Sequence, residues 1–127
     1  MKRLPTLLLA LRAFCEMARY DLLFAIGGFD LVRRGLPERK PRPRVSADCR
    51  RVIEAVDWAI AFYWKPVLCL QNALVTARLL RLAAIDAEVV IGCRPEPFFS
   101  HAWVEVDGRV VNDSPNYRQQ LPALARL

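Results

Sequence analysis

The run 101–113, His-Ala-Trp-Val-Glu-Val-Asp-Gly-Arg-Val-Val-Asn-Asp, constrains this chain more than any other stretch. Two Val-rich segments flank Asp107-Gly108, a dipeptide suited to reversing a strand. They predict antiparallel strands over 101–106 and 109–113. A third strand is predicted over 88–93, which is rich in Val and Ile, with a loop containing Pro95 and Pro97 after it. Upstream the apolar period changes from two to between three and four. Val52, Val56, Ala59, Ile60 and Tyr63 form one stripe of a helix that Ser46 or Asp48 would cap. Pro66 ends that segment. A second helix is predicted from Cys69 to about residue 83, with Ala73, Ala77 and Leu80 facing inward. Helices followed by strands make an α+β domain.

Residues 5–35 also read as helical, with a break at Gly27-Gly28. Leu8, Leu11, Cys15, Ala18, Leu22 and Ala25 recur at helical spacing. Pro37, Pro41 and Pro43 then exclude a regular helix from 36–45. The chain therefore divides into a helical N-terminal extension with a Pro/Arg-rich linker, 1–45, and a domain over 46–127. Arg12, Glu16, Arg19 and Asp21 interrupt the apolar stretch 4–29, which argues against a spanning helix. Packing on the domain or on a partner is expected, with peripheral membrane contact as the lesser use. The net charge is +6, but much of it sits in Arg33-Arg34 and in the linker run 39–44. That placement reads as a solvated linker, and no nucleic-acid partner is expected. Four cysteines and one histidine lack zinc-ligand spacing, so neither metal nor cofactor is expected. No signal peptide is evident, which reads as a cytoplasmic protein with reduced thiols.

Three residues carry chemistry in a telling order: Cys69, His101, Asp113. A thiol attacks only as thiolate, and its ordinary pKa of about 8.5 must be lowered. A helix N-terminus does this through its positive dipole end. The same end offers N–H groups without intrahelical partners, so the Cys69 N–H suits an oxyanion hole. Alone, Cys69 reads more readily as a small buried hydrophobe at a helix start. His101 would take the thiol proton and return it to the leaving amine. Alone, it is a satisfied histidine on a strand. Asp113 would orient the imidazole, or simply end a strand before a turn. Cys, His and Asp in this order match an acyl-transfer site on a papain- or transglutaminase-like core.

Alternation of side chains along strands sets a condition on the pair. A two-residue loop at Asp107-Gly108 would place Ala102 opposite Asp113 and turn His101 and Asp113 to opposite faces. A three-residue loop, Val106-Asp107-Gly108, with Gly108 left-handed as a bulge, would place His101 opposite Asp113 and Glu105 opposite Arg109. The three-residue loop is therefore predicted.

Cys69-Leu70-Gln71-Asn72-Ala73-Leu74, the stretch 85–92 and His101-Ala102-Trp103-Val104-Glu105 through Asp113 resemble the transglutaminase-like leader peptidases of lasso peptide biosynthesis. The resemblance covers roughly residues 46–115, and Trp64 and Pro66 fit it. Asn72 departs from it, standing where the family commonly has a basic residue. The resemblance implies a cysteine protease with a Cys69-His101-Asp113 triad that cuts the leader from a ribosomally made precursor. It also implies two partners: a separate leader-recognition protein and an ATP-dependent macrocyclase. Trp64, Trp103 and Asn72 are candidate substrate contacts. Two other readings stand beside it: another acyl transferase on the same fold, and a non-catalytic peptide-binding scaffold.

Overall fold

The computed structural model describes residues 6–37, 47–95, 98–113, 116 and 120–127. Among these residues, three helices precede a four-stranded sheet: α1 (Thr6–Arg34), α2 (Ala47–Phe62), α3 (Cys69–Leu82), β1 (Ala87–Pro95), β2 (Phe98–Val106), β3 (Arg109–Val110) and β4 (Ala123–Arg126). The sheet is antiparallel with strand order β3-β2-β1-β4. This is an α+β fold. Ser46 and the linker residues Arg39 to Arg44 lie outside the described residues. So does Pro97.

α1 bends where the glycines predict. Gly28 has φ 66° and ψ −160°, a conformation that an L side chain resists. α2 starts at Ala47, one residue before Asp48, and buries Val52, Ala55, Val56 and Ala59. α3 buries Ala73, Ala77 and Leu80 completely. α1 packs on both of the other helices, and its Ala13, Met17 and Tyr20 enter the same core.

The helices cover one face of the sheet. Ala87 and Val89 of β1 meet them there, with Ala102, Val104 and Val106 of β2. The opposite face has a smaller cluster of Val90, Trp103 and Leu121. β1 and β2 pair without interruption from Ala87↔Val106 to Pro95↔Phe98. Pro95 thus belongs to a strand, and the connection is shorter than the loop expected from the two prolines.

One buried cation ties the layers together. Arg81 of α3 donates to the carbonyls of Ala87 (2.9 Å), Pro37 (3.1 Å) and Leu127 (2.7 Å). Those acceptors lie at the start of β1, beyond the end of α1 and beyond β4. Leu127 also exchanges both backbone hydrogen bonds with Val89.

Candidate active site

His101 and Asp113 meet, but not by the predicted loop. Val106 pairs with Arg109 and Glu105 with Val110, so the turn has two residues. Asp107 (φ 53°) and Gly108 (φ 73°) are both left-handed, as a type I′ turn requires. The three-residue bulged loop is incorrect. Strict alternation along such a ladder would separate His101 from Asp113. The ladder does not persist that far. Val111 still donates to the Val104 carbonyl (3.0 Å). The Val104 N–H, however, is taken by Asn112 Oδ1 at 2.8 Å. A side chain replaces the next backbone acceptor, and the chain bends through Asn112 and Asp113. Asp113 Oδ2 then lies 2.6 Å from His101 Nε2. An ionised carboxylate only accepts, so Nε2 carries the proton in this contact.

The spacing His101, Trp103, Glu105 puts three side chains on one face of β2. The His101 ring stacks between Phe99 and Trp103, with centroids 6.3 Å from each. Trp103 donates from Nε1 to Glu105 Oε2 at 2.8 Å. Glu105 is buried, and Arg126 of β4 reaches its other oxygen at 3.4 Å while also pairing with Glu88. Gly92, opposite His101 in the register, leaves space for the indole. A Cβ there would lie 2.6 Å from Trp103 Cη2. The wall behind the imidazole is therefore fixed by Glu105, Gly92 and Arg126, none of which was singled out from sequence. The i, i+2, i+4 spacing was the available signal for Glu105.

Cys69 is the first residue of α3, as predicted. Leu68 before it is extended and contributes no side-chain cap. The first helical bond runs from the Asn72 N–H to the Leu68 carbonyl (3.0 Å), so the N–H groups of Cys69, Leu70 and Gln71 precede it. They face outward along the axis, at the positive end of the dipole. The thiol is half-buried. Tyr20 of α1 is nearby. Burial holds its phenol above the ordinary range, and the Asp21 charge and the neighbouring Cys69 add to this.

Among the described residues, no hydrogen bond or ion pair joins Cys69 to the His101–Asp113 pair. The pair projects from the Trp103 face of β2, whereas α3 packs on the Ala102–Val104 face. Trp103 is 1% exposed and leaves no surface for a substrate. Trp64 is 74% exposed, beside Tyr63 and under the Lys65 ammonium. Asn72 accepts a hydrogen bond from Thr76 Oγ1 within α3 (3.1 Å).

A polar cluster next to Cys69 was also missed. Asp21 of α1 pairs with Lys65 and accepts from the Tyr63 hydroxyl. Buried Gln71 donates to the Met17 carbonyl at 3.1 Å. These contacts link residues far apart in the chain, and no local pattern announces them.

None of the four cysteines forms a disulfide. Among the described residues no cluster of His, Cys, Asp and Glu has the form of a metal site. Nor, among them, is any helix long and apolar enough to cross a membrane.

The microcin J25-processing protein McjB of Escherichia coli is 48% identical over 59 residues, a stretch covering 46% of this chain and 28% of that protein. The match thus spans little more than a quarter of the relative's length. No solved structure matches the chain. The profile of one family, described as the transglutaminase-like superfamily, matches residues 9–126, including most of α1, all of β2 and both members of the His101–Asp113 pair. The chain belongs to the transglutaminase-like superfamily.

Proposed function

We propose that this chain is a cysteine peptidase that removes the leader from a lasso peptide precursor, with Cys69 as nucleophile, His101 as base and Asp113 as its orienting partner. The observation that carries the reading is the 2.6 Å contact between His101 Nε2 and Asp113 Oδ2. It occurs in a transglutaminase-like chain whose Cys69 opens a helix. A relative named for processing a peptide supports the choice of reaction.

The residues divide the work as follows. Cys69 sulfur attacks the scissile carbonyl. The developing oxyanion accepts from the Cys69 N–H at the end of α3. Asp113 occupies Nε2 of His101, so Nδ1 is the nitrogen that takes the thiol proton and passes it to the departing amine. The C–N bond breaks, leaving a thioester on Cys69. Water, deprotonated by His101, then attacks the thioester and frees the leader carboxylate. Proton transfer needs the thiol and imidazole within about 3 Å, so the reading requires the His101 end of β2 to turn toward the start of α3 from the Trp103 face on which it stands. A separate leader-recognition protein presents the precursor, and an ATP-dependent macrocyclase uses the released amine.

The test combines the chain with precursor and leader-recognition protein and reads product masses. Cys69→Ala and His101→Ala are expected to leave the precursor intact while retaining the wild-type circular dichroism spectrum. Asp113→Asn should lose a large part of the rate, since it weakens the hold on the reactive tautomer. Continued cutting by Cys69→Ala would refute the nucleophile. A leader that gains the mass of an added amine would point to acyl transfer instead of hydrolysis.

A further inference from the structure

Asp21 on α1 gathers two donors from the stretch just before Cys69. Lys65 Nζ lies 2.8 Å from its Oδ1, and the Tyr63 hydroxyl donates to its Oδ2. Both donors belong to the connector that leads into α3. Gln71, two residues beyond Cys69, donates to the Met17 carbonyl at 3.1 Å, and its side chain lies close to Asp21 and Tyr63. The chain is thus held to α1 before and after the sulfur. Burial opposes charge on Asp21, yet the bonds from Lys65 and Tyr63 and the Lys65 charge outweigh it. Its carboxyl lies below the usual carboxylate range and stays ionised.

Packing alone would dock these helices, because the Tyr63 ring sits edge-on against Phe14 at 5.0 Å. Apolar contact is non-directional, however, while hydrogen bonds fix an angle. α1 and α3 are joined again farther along, by Arg78 Nε to Glu16 Oε2 at 2.7 Å, more than two turns past Cys69. That second link holds the helices together without touching the first turn.

We infer that Asp21, Tyr63 and Gln71 are positioning residues that aim the first turn of α3, setting the direction of the Cys69 sulfur and N–H toward an acyl carbonyl. The inference rests on the nucleophile reading above. Misplacing a reacting group by an ångström costs up to roughly a hundredfold in rate, so losing one of several supports should cost roughly tenfold.

The probe is p-nitrophenyl acetate on the full chain. The thiolate attacks the ester, acetyl passes to sulfur and p-nitrophenolate leaves. Peptide mass mapping gives the rate at Cys69, with Cys15 and Cys93 as references in the same molecule. Rates are read on the alkaline plateau, where the ionised fraction no longer matters. Tyr63→Phe keeps the ring on Phe14 and should lower the Cys69 plateau roughly tenfold without affecting the references. Asp21→Asn should do the same. Glu16→Gln should lower the melting temperature and leave the Cys69 plateau within about twofold. A plateau unmoved by both Tyr63→Phe and Asp21→Asn overturns the inference, as does an equal fall in Glu16→Gln. Wild-type Cys69 reacting no faster than Cys15 overturns the nucleophile reading itself, and the positioning role with it.

Discussion

Asn112 decides whether the hairpin delivers a histidine–aspartate pair, and Asn112→Ala tests this directly. The substitution removes the 2.8 Å acceptor of the Val104 N–H, which belongs to a fully buried residue. Two responses are open to the chain. If nothing replaces the acceptor, a buried N–H loses its partner at a cost of about 1–3 kcal/mol. If the ladder closes instead, Val104 bonds to the Val111 carbonyl, alternation continues, and Asp113 turns toward the Ala102 side. Both responses loosen His101 from Asp113. For 127 residues at about 2.1 cal/mol/K each, the entropy of unfolding is about 270 cal/mol/K, so about 2 kcal/mol corresponds to about 7 °C. Calorimetry reads that shift. His101 is the only histidine in the chain, so nitrogen NMR of the imidazole reports its tautomer without overlap. The wild-type protein should hold the proton on Nε2, and Asn112→Ala should mix the tautomers. Leader cleavage should fall by roughly a hundredfold or more. A melting temperature unchanged within error, together with an unchanged Nε2 tautomer, would refute the reasoning.

Gly92→Ala should destabilise the protein by about 1–3 kcal/mol, since the new Cβ would lie 2.6 Å and 2.8 Å from the Trp103 ring and 2.8 Å from Leu121 Cβ. Urea unfolding measures it, and a neutral result would mean that the indole does not rest there. Tyr63 supplies a pH dependence. Burial, followed by the Asp21 contact, pushes its phenol from 10.0 to about 12. A raised folded value means that its contribution is complete below pH 10 and lost as pH climbs through about 12. The stability gap between wild type and Tyr63→Phe should therefore close across that window, and a gap that stays constant would argue against the shift.

α2 and α3 were legible because their apolar periodicity survives in single segments, whereas the stripe read on α1 (Leu8, Leu11, Cys15, Ala18, Leu22 and Ala25) is exposed, and Ala13, Met17 and Tyr20 are buried instead. Val52, Val56 and Ala59 are buried as their spacing predicts, and so are Ala73, Ala77 and Leu80. The break at Gly28 was legible for a different reason: only glycine adopts its backbone angles at little cost. β4 was not legible. Ala123, Leu124 and Arg126 are exposed, so Ala123–Arg126 shows no alternating pattern. Pairing with β1 and the Arg126 contacts with Glu88 and Glu105 hold it instead. The hairpin is the most instructive case. Asp107-Gly108 is a strong two-residue turn signal, and the structure follows it. The three-residue alternative was chosen to satisfy parity out to residue 113. Parity binds only while backbone pairs with backbone, and Asn112 ends that pairing first. A side-chain acceptor of this kind has no periodic signature.

Arg81 has a consequence for how the fold comes apart. Arg81 is 4% exposed, and three of its guanidinium's partners are carbonyl oxygens from three separate parts of the chain. An arginine cannot shed its proton to ease burial. Peeling away either the segment that follows α1 or the residue that follows β4 would strip an acceptor from a buried cation, a costly step. Neither acceptor can leave alone without that cost. Loosening of the segment behind α1 and loosening of the β4 edge are therefore coupled through one side chain of α3.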